Sequence, residues 1–309
     1  MNKYKVFIDG AEGTTGLEIN KKLELIPEIE LIKIDDSLRK DEASRKECIN
    51  SSDLTILCLP DVAAIHAMTL IENDTTKIID ASTAHRVDKN FVYGFPELSK
   101  HQEKEIINAR YVANPGCHAT GFISLAYPLL ENDILPHSYP LSAFSITGYS
   151  GGGKSMIKSY EELPLSDDMK SPRLYSLSLN HKHIPEIMNI CSLTNPPIFT
   201  PIVGDYYKGM TTSIPIANRL LLRKMSARDI CDFYKEKYKN SSNIIVSDFM
   251  GDIKTGNGYL PATLQNDTNN IEIFVFGNDE NTLVTAVFDN LGKGASGACV
   301  QNLKLMLNI

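Results

Sequence analysis

Over residues 5–82 short apolar runs alternate with longer stretches whose apolar positions recur at helical spacing. The first run, Lys5 to Asp9, predicts a strand; a glycine-rich turn follows, and then a helix to about Leu25 with Leu17, Lys21 and Glu24 marking its turns. Further strands are predicted at 30–35, 54–60 and 77–82, with Asp61 as N-cap of the helix after the third. Strands separated by helices of this length predict a parallel, doubly wound sheet. From about residue 140 the period shortens to two, in runs at 141–147, 209–217, 243–249, 271–276 and 283–290, which predicts a mixed or antiparallel sheet. One helix interrupts it: Ser226 and Asp229 read as a capping box, and Ile230, Phe233, Tyr234 and Tyr238 form a stripe. At the end of the chain Ala295, Cys299, Leu303 and Met306 again recur at helical spacing. The fold class expected is α/β: a Rossmann-type doubly wound parallel sheet plus an α+β domain with a mixed or antiparallel sheet.

Composition narrows the function classes. With 309 residues the chain is long enough for two domains, and no 18-residue apolar run suggests a membrane helix. A net charge of −7 without any long basic block argues against a nucleic-acid surface. The apolar stretch near the N-terminus is too short and interrupted for a signal-peptide core, so a cytoplasmic protein is expected. Six cysteines show no CxxC pair and no metal-ligand spacing, which makes most of them small buried hydrophobes.

Two short segments carry nucleotide chemistry. Gly10, Gly13 and Gly16, with Thr14 and Thr15 among them, form G-x-x-G-x-x-G between the first strand and the first helix. The spacing differs from the common dinucleotide fingerprint, but the position is where backbone N–H groups and a helix N-terminus receive a pyrophosphate. After the second strand, "IDDSLRK" holds an acidic residue suited to the ribose of NAD as well as Ser37, Arg39 and Lys40, suited to the extra phosphate of NADP. NADP is preferred on this basis, although an exposed basic pair with no ligand would look the same.

The segment "ANPGCHAT" delivers Cys117 to the first residue of a predicted helix, where free N–H groups favour a thiolate. In "LNHKHIPEIMNI", His181 and His183 stand two apart; an extended Asn180–His183 would project both rings to one side. Pro185 would then open a helix, and Glu186 could turn back to hold an imidazole. No third and fourth ligand stands out for a metal. "TGYSGGGKS" forms a candidate anion nest with Ser150 and Lys154. From Gly148 its letters also match a nucleotide P-loop, yet the strand context and a second acidic strand for magnesium are missing.

In order, "GAEGTTG", "CLPD", "DASTAHR", "YGFPEL", "NPGC", "GYSGGGK", "HKHIPEI" and "DNLGKGASGACVQN" resemble the N-acetyl-gamma-glutamyl-phosphate reductase family, in its shorter type. The resemblance implies a cofactor domain at 1–116, to which a last helix at 290–309 returns, and a catalytic and oligomerisation domain at 117–289. It also implies NADPH-dependent reduction of an acyl phosphate, N-acetyl-L-glutamyl 5-phosphate, in arginine biosynthesis. Cys117 would be the nucleophile, with His183 as acid/base, His181 orienting the substrate and Glu186 in support. Ser150 and Lys154 would meet the phosphate. Lys208 stands where longer relatives have an Arg-Gly pair that binds substrate, and His118 where relatives often have tyrosine. A homo-oligomer is expected by the same resemblance. Competing readings are another acyl-phosphate reductase such as aspartate-semialdehyde dehydrogenase, a cysteine hydrolase, and a non-catalytic NADP-binding regulator.

Overall fold

The computed structural model of the chain describes residues 3–251 and 258–309. It contains two compact units, one formed by residues up to Gly116 together with Ala295–Ile309, the other by Cys117–Gly294.

In chain order the first unit runs β1 (Tyr4–Asp9), α1 (Thr14–Leu23), β2 (Ile29–Ile32), α2 (Glu42–Asn50), β3 (Leu54–Leu57), α3 (Asp61–Met68), β4 (Lys77–Asp80), β5 (Val92–Tyr93), α4 (Lys100–Asn108) and β6 (Tyr111–Ala113). These six strands lie in the order β2-β1-β3-β4-β6-β5, with every pairing parallel. All four residues of β3 are buried, as a strand covered on both faces requires. The strand order reverses between β1 and β3, which opens a crevice at their carboxyl ends where the glycine turn lies. Asp61 differs from its expected role: Pro60 is the N-cap, and Asp61 is the first helical residue. Its carboxylate accepts from the backbone N–H and the hydroxyl of Thr83, tying α3 to the segment after β4.

The second unit contains α5 (Cys117–Glu131), β7 (Ser142–Gly148), α6 (Gly153–Glu161), α7 (Asp167–Lys170), β8 (Arg173–Leu174), α8 (Ile184–Ile190), β9 (Ile198–Gly204), β10 (Met210–Ala217), α9 (Ala227–Tyr238), β11 (Ile244–Val246), β12 (Ile271–Gly277) and β13 (Asn281–Phe288). Its seven-stranded sheet has the order β11-β12-β13-β10-β7-β9-β8 and is mixed, with β7–β9 and β11–β12 parallel. Helix α5 lies on one face, close enough that a Cβ at Gly121 would stand 2.4 Å from Thr212 Oγ1 and 2.9 Å from the Phe288 ring. The capping box of α9 forms as expected: Ser226 Oγ accepts from Asp229 N–H, and Asp229 Oδ2 accepts from Ser226 N–H. Tyr238 on α9 donates to the Ser124 carbonyl of α5. On the opposite face Phe144, Ile146, Thr211, Ser213, Phe276 and Leu283 line an open groove of about 670 Å³.

The closing helix α10 (Gly297–Leu307) belongs to the first unit and starts later than Ala295, which sits in a π-turn over Gly292–Ser296. Cys299, Leu303, Met306 and Leu307 pack with Val6, Ile19, Ile56, Ile79 and Val112. Lys77 donates to the Met306 carbonyl at the C-terminal turn, where a cation suits the helix dipole.

Candidate active site

In the first unit the three glycines differ in why they are glycine. Gly10 has φ +87°, and a Cβ there would stand 2.5 Å from the Cys58 carbonyl oxygen. At Gly16 a Cβ would stand 2.6 Å from the Gly10 carbonyl oxygen. These two let the turn close on itself and on β3. Gly13 is the N-cap of α1 with φ −67° and ψ 161°, a conformation open to any residue; a Cβ there would meet nothing closer than 3.5 Å. No side chain caps α1, so the N–H groups of Thr14, Thr15 and Gly16 face the turn without a side-chain acceptor from the cap. An uncapped helix N-terminus behind a bare backbone, at the strand-order reversal, fits the diphosphate of a dinucleotide.

Beyond β2, Ser37 is turned inward: its N–H and hydroxyl both donate to Asp35 Oδ1, at 2.8 and 2.5 Å, and hold that carboxyl below its ordinary value. Arg39 is exposed, its guanidinium 4.0 Å from the Glu12 carboxylate of the glycine turn. Arg45 on α2, which carries no local signal in the sequence, makes a paired contact with buried Asp9 at the end of β1, Nη2 to Oδ2 at 2.7 Å. The buried carboxylate of Asp80 likewise accepts from Ser82 and stands 2.6 Å from His85 Nδ1. Arg86 donates from Nε to the Asn114 carbonyl, which anchors the stretch leading into Pro115 and Gly116.

In the second unit Cys117 is the first residue of the 15-residue helix α5 and is half-buried. Its neighbour Gly294 passes so near that a Cβ there would be 3.0 Å from the Cys117 Cβ. Burial pushes the other five thiols up, Cys58 to about 12, towards the inert protonated form.

Three imidazoles gather rather than two, one of them on His118, the residue after Cys117 on α5. The centroid of His181 lies 4.8 Å from that of His183 and 5.3 Å from that of His118, and His118 lies 5.6 Å from His183. The expected extended Asn180–His183 is instead a turn, closed by Ile184 N–H to the His181 carbonyl, with His183 at φ −87° and ψ −9°. The rings meet because the backbone folds, not because side chains alternate. Ile184 opens α8 and Pro185 is its second residue; Glu186 follows, buried in the first turn. The backbone N–H of His183 donates to His181 Nδ1 at 3.3 Å, which puts the proton of neutral His181 on Nε2. Burial, then the Lys182 charge, lowers the His181 pKa to about 4.

His118 is the residue whose role the sequence left open. Its Nδ1 is hydrogen-bonded to Ser145 Oγ at 2.8 Å and its Nε2 to the Tyr175 hydroxyl at 2.7 Å. Burial first, then His181 and Lys182, lowers its pKa to about 3, so it is neutral at physiological pH. Ser145 donates to the Thr211 carbonyl, so its oxygen accepts from His118 Nδ1–H and leaves Nε2 to accept from Tyr175. Burial raises the Tyr175 pKa, and the charge of Cys117 adds to the rise. The only sequence signal for Tyr175 was its place six residues before His181.

Ser150 lies buried in the glycine loop, where its Oγ accepts from Asn290 Nδ2 at 3.0 Å and keeps its own proton to donate. Asn290 Oδ1 accepts from Gly209 N–H, so one amide ties this loop to the start of β10. Lys154 is exposed in the first turn of α6. Lys208, the other residue expected at the substrate, is already engaged by carboxylates. Its ammonium is paired with Asp267 and lies 3.6 Å from buried Asp289. Burial works against that charge, but the two carboxylates outweigh it and raise the pKa. Among the described residues no group of three His, Cys, Asp or Glu side chains is arranged to hold a metal ion, and no helix is long and apolar enough to cross a membrane.

Comparison with known proteins identifies the family and the fold. Residues 5–106 match the family model "Semialdehyde dehydrogenase, NAD binding domain", and residues 117–290 match "Semialdehyde dehydrogenase, dimerisation domain". The chain thus carries a nicotinamide-cofactor domain. It is 43% identical to N-acetyl-gamma-glutamyl-phosphate reductase 2 of Nostoc sp., over 100% of this chain and 98% of that protein. It is 44% identical to N-acetyl-gamma-glutamyl-phosphate reductase of Chelativorans sp., over 98% of each. Among solved structures, a probable aspartate-semialdehyde dehydrogenase from Pseudomonas aeruginosa superposes with a TM-score of 0.72 over 99% of each chain. Aspartate semialdehyde dehydrogenase II from Vibrio cholerae superposes with a TM-score of 0.69, again over 99% of each. At 13% and 14% identity these two speak for the fold alone.

Proposed function

The chain belongs to the N-acetyl-gamma-glutamyl-phosphate reductase family, and from that premise we propose that it reduces N-acetyl-L-glutamyl 5-phosphate to N-acetyl-L-glutamate 5-semialdehyde and phosphate, with NADPH, in arginine biosynthesis. The observation that carries the reading is the cluster of His118, His181, His183 and Tyr175, in which His118 directly follows a half-buried cysteine at a helix start. The Cys117 thiolate attacks the acyl carbon, the bond from that carbon to the phosphate oxygen breaks, and a thioester forms. Ser150 donates to the departing phosphate, and Lys154 supplies countercharge. A nicotinamide bound by the first unit would supply the hydride needed to reduce the thioester carbonyl. Neutral His181 donates from Nε2–H to the carbonyl oxygen, where negative charge develops, and orients it. As the tetrahedral adduct collapses its oxygen re-forms the carbonyl, the carbon–sulfur bond breaks, His183 gives a proton to the departing sulfur of Cys117, and the aldehyde leaves. Glu186, buried in the same turn, holds the histidine pair in place.

Gly10, Gly13, Thr14, Thr15 and Gly16 receive the diphosphate, and Arg39, held only loosely by Glu12, is the residue for the 2′-phosphate of NADP. Ser37 shapes that loop through Asp35. The groove on the sheet face opposite α5, together with the match to a dimerisation domain, supports a homo-oligomer. The test is phosphate-dependent reduction of NADP by N-acetyl-glutamate semialdehyde, the reverse reaction. Turnover that needs phosphate and vanishes in Cys117→Ser supports the mechanism; turnover that survives this substitution refutes the covalent step.

A further inference from the structure

The substrate assigned above carries two anionic groups, the phosphate at one end and the α-carboxylate at the other. With Lys208 matched by Asp267 and Asp289, the carboxylate needs another cation. The geometry points to Arg173 as the residue that binds the α-carboxylate of the substrate, an assignment that rests on the reductase reading.

Strand register makes the case. Arg173 pairs with Val203 of β9, and Val203 pairs with Thr147 of β7, so the three lie in one row across the sheet. Thr147 pairs in turn with Met210, two residues from Thr212, which meets α5 at Gly121. Residues in one row point to one face, so Arg173 projects to the side that carries α5, Cys117 and His118. Tyr175, two residues further along with its N–H bonded to the Pro201 carbonyl, shares that side and reaches His118. The arginine is also held in place. Its Nη2 donates to the Tyr160 hydroxyl at 2.8 Å, and its guanidinium carbon stands 5.2 Å from the centre of that ring, which stacks at 4.7 Å on Tyr149 of the glycine loop.

Its Nε–H is left without an acceptor in a place shielded from water, and among the described residues no carboxylate pairs with it. An arginine donor that is desolvated and unmatched is costly unless a ligand completes it. The missing partner is an acceptor on the Nε edge, where a planar carboxylate makes its two-point contact. The spacing separates the two anions. The carboxyl carbon lies four carbon–carbon bonds, about 5 Å, from the acyl carbon. Arg173 lies two strand spacings, about 10 Å, from Thr147 on the sheet face that carries α5, and its long side chain covers part of that width. The phosphate leaves from the acyl carbon beside Cys117, so the distal group is the one that reaches Arg173.

The test is steady-state kinetics of the reverse reaction with Arg173→Gln and Arg173→Lys, measuring KM for the semialdehyde and for phosphate separately. The α-amide of the semialdehyde serves as a neutral comparison substrate. Expected for Arg173→Gln is a rise of roughly 30-fold in semialdehyde KM, with phosphate KM and kcat within about threefold of wild type, and partial recovery in Arg173→Lys. The amide should show the same raised KM with the wild type and with Arg173→Gln, which also reports that the variant is folded. An unchanged semialdehyde KM overturns the assignment, as does a rise confined to phosphate KM. A wild type without turnover on the semialdehyde sinks the reductase reading and the assignment together, whereas turnover with unaltered KM in the variants sinks the assignment alone.

Discussion

The glycine turn allows stability and cofactor affinity to be separated with two alanine substitutions three residues apart. In Gly10→Ala the new Cβ would stand 2.5 Å from the Cys58 carbonyl oxygen, on a backbone with φ +87°. The left-handed conformation costs about 1–2 kcal/mol for a residue with a Cβ, and forcing a methyl group against backbone costs about 1–3 kcal/mol more. A loss of about 3 kcal/mol would lower the melting temperature of the first unit by roughly 10 °C. Gly13→Ala faces neither cost, since φ is −67° and the closest atom is 3.5 Å away. Alanine is a slightly poorer N-cap than glycine, but it narrows the unfolded ensemble, and these terms of a few tenths to about 1 kcal/mol oppose each other. Stability should therefore stay within about 0.5 kcal/mol of wild type, while a methyl group in the space kept for a diphosphate weakens NADPH binding by about tenfold or more. Circular-dichroism melts give the first quantity and a fluorescence titration of NADPH gives the second. Wild-type NADPH affinity in Gly13→Ala would refute the placement of the diphosphate, and a melting loss equal to that of Gly10→Ala would refute the claim that Gly13 borders open space.

Other substitutions and conditions test the remaining groups. Lys208→Met should leave substrate KM within about threefold and lower stability by about 0.5–1 kcal/mol, as expected of a partly exposed ion pair; a KM rise beyond tenfold would return Lys208 to the substrate. Arg39→Gln should raise KM for NADPH about tenfold and leave that for NADH unchanged, and equal effects on both would remove Arg39 from the 2′-phosphate. His118 and His181 have folded pKa values of about 3 and about 4, below the unfolded value of 6.5, so the unfolded chain binds more protons between these limits. Stability is therefore full above pH 6.5 and falls as the pH drops towards 4, with unfolding taking up about two protons from this pair near pH 5. Denaturant melts from pH 7 to pH 5 measure the slope, and a flat profile would contradict the buried neutral pair. Tyr175→Phe removes the hydroxyl bonded to His118 Nε2 and should lower kcat more than it raises substrate KM; a purely structural role would lower the melting temperature and leave kcat intact.

Elements with a local cause are legible in the amino-acid sequence. The alternation of strand, turn and helix over residues 4–80, the placement of Gly10–Gly16, the capping box at Ser226 and Asp229, and Cys117 at the first residue of a helix all depend on neighbours a few residues away. Periodicity also separates a parallel sheet from a mixed one, because a strand buried on both faces and a strand buried on one differ in pattern. Chemistry assembled by strand register is out of its reach. His118 meets Tyr175 and Ser145 because β8, β9 and β7 stand side by side, and Arg173 shares a row with Thr147 for the same reason. Lys208 looks available for substrate in the sequence because Asp267 and Asp289 approach it only in the folded chain. His181 and His183 do sit together, as their spacing suggests, but a turn joins them where alternation along a strand was the expected reason. The sequence by itself determined the kinds of element and the cysteine's position, since these follow from backbone preference and burial period. Which distant polar groups were matched with each other, and which were left for a ligand, only the tertiary structure decided, because partners for buried charges come from whichever strands the register brings alongside.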